Sequence, residues 1–149
     1  MSMENEKHYR ALENMYLSAP INVIYKPSII ISDQRAEIEM AVSERFFHSA
    51  GAVHGSVYFK MLDDAAFFAA NSVENENFVL TVSFTTYLTR PVSGGFIRSI
   101  GTVVNQTRKQ IIAEAVIYDG DGCEIGRGNG IFVRGKLPLV EALGYGVCE

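Results

Sequence analysis

The run Gly51-Ala52-Val53-His54-Gly55-Ser56-Val57-Tyr58-Phe59-Lys60-Met61-Leu62-Asp63-Asp64-Ala65-Ala66-Phe67-Phe68-Ala69-Ala70-Asn71 opens on a glycine turn and then becomes almost wholly apolar, broken by Lys60 and one carboxylate pair. Its spacing predicts the one long helix of the chain, over 54–73. At about 100° per residue, Val57, Met61 and Phe68 share one side, and Tyr58, Leu62, Ala65 and Ala69 a second. Phe59, Phe67 and Ala70 flank Asp63 on a third. A helix that is apolar nearly all round is buried nearly all round. One sheet in a chain of 149 residues covers one face of it, so a second subunit is expected on the other.

Strand alternation lies on both sides of the helix. In Ala36-Glu37-Ile38-Glu39-Met40-Ala41-Val42 the even positions are apolar and Glu37 and Glu39 face the other way, the pattern of a half-buried strand. After a polar loop at 74–77 come four strand-like segments, 78–88, 96–105, 110–119 and 124–133. Thr107-Arg108-Lys109 and Asp119-Gly120-Asp121-Gly122 are turn-like separators, so two consecutive hairpins make the later sheet antiparallel. Strand, long helix, then four strands is an α+β order in which one sheet wraps one helix. Towards the N-terminus, 5–18 reads as a short surface helix that stops before Pro20. Residues 21–31, interrupted by Pro27, read as an extended or irregular lead-in. The tail from Leu137 carries no pattern.

Composition narrows the function classes. Hydrophobic residues at 48% and charged ones at 20% are those of a globular chain, and the length suits one domain. With a net charge of −4 and scattered basic residues, neither nucleic acid nor an anionic membrane is an expected partner. No apolar run approaches the roughly 18 residues of a spanning helix, and residues 1–10 are charged and polar rather than signal-like. Cys123 and Cys148 have no metal or redox spacing. A cytoplasmic protein is the expectation.

The helix start and its acid together point to acyl chemistry. A free N–H at a helix N-terminus polarises a carbonyl, and a carboxylate about two turns further in sits where a buried helix normally avoids charge. Several residues also resemble a known family. His54-Gly55, Asp63 nine positions later, and Ala65-Ala66-Phe67-Phe68-Ala69-Ala70-Asn71 resemble the hotdog-fold acyl-CoA thioesterases of the phenylacetic-acid-degradation type. That family shares Asn-x-x-Gly-x-x-His-Gly-Gly followed by an acid on the central helix. Thr81-Val82-Ser83-Phe84-Thr85-Thr86-Tyr87-Leu88-Thr89-Arg90-Pro91-Val92 resembles its next strand, which closes on leucine–arginine–proline, with Thr89 as a one-residue insertion. The likeness covers about 36–133. Ser56 stands in place of the second motif glycine, and His48 in place of the asparagine.

The resemblance implies a hotdog fold, one antiparallel sheet wrapped around a long central helix. It divides the chain into a helix and lead-in (1–35), a thioesterase-like domain (36–136) and a tail (137–149). It implies hydrolysis of an acyl-CoA thioester by a homodimer or a dimer of dimers (a homotetramer), without a metal or any cofactor beyond the substrate's CoA. Asp63 becomes the general base or nucleophile, selected over Asp64 by the family spacing. Gly55 becomes the oxyanion donor, facing the acid of the other subunit. His48 and His54 complete the catalytic candidates, His54 chiefly as holder of the turn. Ser56, Thr81 and Arg90 are the substrate-binding candidates, with Arg90 first among Arg108, Lys109, Arg134 and Lys136 for the CoA phosphates. Phe47, Tyr58, Phe59, Phe67 and Phe68 are available to line an acyl pocket. His48 and His54 six residues apart, with no third ligand, do not make a metal site. Two other functions use the same fold. A hydratase or dehydratase on hydroxyacyl thioesters pairs a histidine with an acid, and a non-catalytic acyl-CoA sensor would not need the carboxylate.

Overall fold

The computed structural model describes residues 2–146, which leaves Met1 and Cys148 outside the described residues. Helix α1 (Met3–Ser18) and a single helical turn α2 (Asn22–Tyr25) lead into strands β1 (Ser28–Ser32) and β2 (Arg35–Ala41). The central helix α3 (Gly55–Ser72) follows, then β3 (Asn77–Leu88), β4 (Phe96–Gln106), β5 (Gln110–Tyr118) and β6 (Glu124–Pro138). The six strands form one antiparallel sheet in the order β1-β2-β4-β5-β6-β3, and α3 packs against all six of them. This is the α+β arrangement that the strand and helix order implies.

The sheet is larger than the alternation suggested. Ser28–Ser32 lies in the segment expected to be irregular, yet Ile29 and Ile31 face the core while Ile30 is exposed, and the strand pairs with β2. Pro27 stands just before it, where the missing N–H costs no ladder bond. Strand β6 likewise runs on to Pro138, into the patternless tail. Helix α1 lies at the surface, as expected, with Glu4, Lys7 and Arg10 exposed, but it buries one whole face. Tyr9, Leu12, Met15 and Tyr16 on it are all buried, and Tyr16 meets Phe68 of α3 edge-on with centroids 5.0 Å apart. Part of the apolar surface of α3 that seemed to require a second subunit is therefore covered by this chain's own α1.

Close approach sets the depth of α3. A Cβ on Gly101 of β4 would lie 2.2 Å from the Ala65 carbonyl oxygen, so only glycine lets the helix backbone rest on that strand. Beside it, the Ser99 hydroxyl donates to the Met61 carbonyl at 2.7 Å. At its other end, buried Asn71 donates to the carbonyls of Glu74 and Asn77 and accepts from the Val79 N–H. That one amide turns the chain from α3 into β3 and so places β3 along the carboxylate side of the helix.

Candidate active site

Helix α3 starts on an unusual cap. His54 is the N-cap, and its Nδ1 accepts from the Ser56 N–H at 3.0 Å and from the Ser56 hydroxyl at 2.8 Å, a role commonly filled by Ser, Thr, Asp or Asn. Nδ1 is occupied twice, so the ring proton sits on Nε2. Among the described residues the Gly55 N–H has no hydrogen-bond partner, and it lies at the positive end of an 18-residue helix. His48 closes a short loop: its Nδ1 accepts from the Ala50 N–H at 3.1 Å, again leaving Nε2–H as a donor. His48, Gly55, Tyr58, Leu88 and Arg90 line one open cavity of about 360 Å³. It gathers donors and a cation. Beside it the N–H groups of Thr89 and Arg90 both donate to the Ile125 carbonyl at 3.0 and 3.2 Å, which leaves one extra residue at the end of β3.

Asp63 lies elsewhere. It is half-buried, and one oxygen, Oδ1, accepts from the Thr81 hydroxyl at 3.0 Å. Thr81 is aimed by a β-bulge: β3 pairs Thr81 with Phe132 and Ser83 with Ile131, leaving Val82 as an extra residue. Burial raises the Asp63 carboxyl from its ordinary 3.8 to about 6, although the Thr81 hydroxyl pulls it down. Asp64 next door is paired through one oxygen, Oδ2. It accepts from the Lys60 ammonium at 2.5 Å and from the Tyr16 hydroxyl at 2.8 Å, while Lys60 lies between the rings of Tyr16 and Tyr25. Lys60 therefore neutralises Asp64, and no cation is within ion-pair distance of Asp63 among the described residues.

Both aspartates open onto a larger cavity of about 650 Å³. Phe67, Phe68 and Phe78 wall it from the helix and sheet, Tyr16 and Asn22 from the N-terminal helices, and Leu143 from the C-terminal segment. Of the aromatic residues named from sequence, Phe67 and Phe68 line this cavity, Tyr58 lines the smaller one, and Phe47 and Phe59 line neither. Tyr16, Phe78 and Leu143 were missed. The spacing of Tyr9, Leu12 and Tyr16 could have shown that α1 buries a face, but nothing in the sequence places the C-terminal segment.

Within one chain the structure thus brings Gly55, His48 and Arg90 together, and separately Asp63 and Thr81. Neither His48 nor His54 is hydrogen-bonded to Asp63. Ser56 is exposed at the cap. Arg134 is tied to Glu74 at 3.3 Å and to the Thr107 carbonyl at 2.7 Å, whereas Arg90 is exposed with no ion pair among the described residues. No cluster of three metal-ligating side chains occurs among the described residues.

A sequence model of the thioesterase superfamily matches residues 50–125, which span the helix cap, Asp63, Thr81 and Arg90. The chain belongs to the thioesterase superfamily. Solved thioesterase-superfamily folds superpose on most of it. The E. coli PaaI protein from the phenylacetic acid degradation operon has 18% identity and a TM-score of 0.82, over 90% of this chain and 97% of that one. A thioesterase family protein from Silicibacter pomeroyi has 24% identity and a TM-score of 0.78, covering 85% and 96%. A thioesterase from Haemophilus influenzae has 18% identity and a TM-score of 0.73, covering 80% and 85%. At these identities the structures show the shared hotdog fold. No curated protein matches the chain. Superfamily membership supports thioester hydrolysis as the general class of activity, and no described helix is long and apolar enough to cross a membrane.

Proposed function

We propose that this thioesterase-superfamily protein hydrolyses an acyl-CoA thioester to the free acid and CoA, as a cytoplasmic dimer with no cofactor beyond the CoA of its substrate. The observation that carries the reading is Asp63: a half-buried carboxylate without a cation, raised to about 6, facing a large aromatic-walled cavity. Thr81 holds one of its oxygens, and the other is free for water. Asp63 takes a proton from that water as the water oxygen attacks the thioester carbon. The developing oxyanion accepts from a helix-start N–H, that of Gly55. The tetrahedral species then collapses, the C–S bond breaks, and Asp63 returns its proton to the departing thiolate.

Gly55 and Asp63 of one chain are eight residues apart, roughly 12 Å along a helix, too far to serve one carbonyl. The sheet edge supports a solution. Strand β3 is a 12-residue edge strand, paired on one side with β6 and among the described residues with no strand on the other, and it exposes Leu80, Val82, Tyr87 and Leu88, the kind of edge that a soluble protein covers. It touches both half-sites, since Thr81 bonds Asp63 and Leu88 packs on Gly55. Two copies paired antiparallel through β3, centred between Phe84 and Thr85, set Thr81 of one copy opposite Leu88 of the other. The donor half-site of each chain then faces the acid half-site of its partner, and Arg90 stands at the entrance for a CoA phosphate.

Release of free thiol from a panel of aromatic and straight-chain acyl-CoAs tests the proposal. Wild type turns over at least one ester, and Asp63→Asn loses about 100-fold or more in kcat. Folded dimer that binds CoA esters without releasing thiol refutes hydrolysis.

A further inference from the structure

The cavity beside Asp63 is built largely from residues outside the superfamily match. The match covers 50–125, whereas Tyr16, Ala19, Pro20, Ile21, Asn22 and the stretch Ala142, Leu143 and Gly144 complete the walls from the two chain ends. The C-terminal contribution is fastened down at several points. Tyr145 lies with its hydroxyl 2.7 Å from His8 Nδ1, and His8 Nε2 is 2.8 Å from the Asn71 carbonyl. A carbonyl only accepts, so Nε2 carries the proton, Nδ1 is bare, and Tyr145 donates to it. His8 is 4% exposed and faces Tyr9, Asn71, Glu74 and Tyr145; burial lowers its pKa and favours this neutral form. The Asn14 amide donates to the Gly146 carbonyl. Gly144 sits against Ser18 and Met15 of α1 at φ +83°, a backbone conformation that strains any other residue. Leu143, in the 3₁₀ turn just before it, is thereby pressed against the core at the edge of the cavity.

We infer that the segment 141–146 is a fixed strap across the acyl chamber, that Leu143 on it sets the longest acyl group the chamber accepts, and that Tyr145 is the positioning residue that holds it shut through His8. This rests on the proposed thioesterase function. The catalytic acid and donor belong to the shared module, and the strap supplies selectivity from outside it. A chamber of about 650 Å³ falls within the roughly 300–1,000 Å³ of sites that enclose small organic ligands, so a wall residue gained or lost changes what fits.

The test is a straight-chain series from acetyl-CoA to tetradecanoyl-CoA on wild type, Leu143→Ala, Leu143→Trp and Tyr145→Phe, read as kcat and KM separately. The ratio of kcat/KM for the longest accepted ester to that for acetyl-CoA falls about tenfold or more in Leu143→Trp and rises in Leu143→Ala. In Tyr145→Phe the length limit blurs, through KM of the long esters rather than kcat. If Leu143→Trp does not fold, Leu143→Ala and Tyr145→Phe decide. Length profiles that superimpose on wild type overturn the strap and leave hydrolysis standing. If wild type cleaves no ester, calorimetric binding of S-alkyl-CoA thioethers of the same lengths separates the two ideas. A length limit that moves with Leu143 then keeps the strap and removes the hydrolase, and one that ignores Leu143 removes both.

Discussion

Asp63→Asn should make the protein more stable while it destroys activity, and the neighbouring Asp64→Asn should do the reverse. A carboxyl raised from 3.8 to about 6 prefers its neutral form in the folded chain. Its contribution to stability is complete below 3.8 and is lost as pH rises through 6. At about 1.4 kcal/mol per pKa unit the loss at neutral pH is on the order of 3 kcal/mol, and partial exposure to solvent at the cavity mouth reduces this to about 1.5 kcal/mol. Asparagine keeps an oxygen for the Thr81 hydroxyl and never ionises. For a chain of this size Asp63→Asn should raise Tm by about 3–6 °C at pH 7.5, and the gain should fall to about a third at pH 4.5. Asp64 accepts from Lys60 and Tyr16, so its replacement leaves a partly buried ammonium short of its partner and should cost about 1–3 kcal/mol at pH 7.5. Calorimetry at one fixed protein concentration measures both, since an oligomer's Tm depends on concentration. If Asp63→Asn lowers Tm at pH 7.5, or raises it equally at pH 4.5, then Asp63 is a satisfied structural carboxylate and its assignment as the base fails.

Other consequences follow from the same contacts. The acid limb of the kcat/KM profile should fall with an apparent pKa near 6, and Thr81→Val should move that limb upward, because its hydroxyl holds the carboxyl down, while Thr81→Ser restores it. Gly55→Pro removes the candidate donor at a helix position that tolerates proline; inactive Gly55→Pro and inactive Asp63→Asn, refolded together, should regain about a quarter of wild-type activity through mixed dimers. A mixture that stays at the level of its parents places both groups in one chain. Gly101→Ala drives a Cβ into the backbone of α3 and should cost well over 2 kcal/mol in denaturant unfolding, whereas Gly94→Ala, which meets nothing, should cost little.

What could be read from the sequence follows from how local its cause is. The bounds of α3 came within a residue or so because its signals are local: a glycine turn, unbroken helical spacing and a polar loop after it. The strands of the two late hairpins were legible for the same reason, with period-two alternation and turn residues between them. Strand β1 was hidden by Pro27 and by an isoleucine run whose alternation appears only once Ile29 and Ile31 have a core to face. No sequence pattern marks His8 as a contact residue. Its partners, Asn71 and Tyr145, are 63 and 137 residues away, and no spacing rule reaches that far. The choice of Asp63 over Asp64 rested on family spacing alone. Local spacing allowed Lys60 to reach either one, and the structure pairs it with Asp64 because Tyr16 of α1 and Tyr25 beside it enclose the ammonium on that side.

The separation of the two half-sites is itself a consequence of helix geometry. Gly55, Phe59, Asp63 and Phe67 are four residues apart in succession, so they form one stripe along α3, and Phe59 in that stripe is 43% exposed. A donor must be at the helix start, because only there is a backbone N–H free. A carboxylate with a raised pKa must be away from that end, where the dipole does not favour its ionised form. Both demands placed on one helix force the groups apart by about two turns. Bringing them together then requires a second helix running the other way, and the β3 edge lies alongside both groups in the single chain. Its exposed Leu80, Val82, Tyr87 and Leu88 would be a liability in a monomer. On this reading, the contact that buries that edge also completes the site, so assembly and hydrolysis should be gained and lost together.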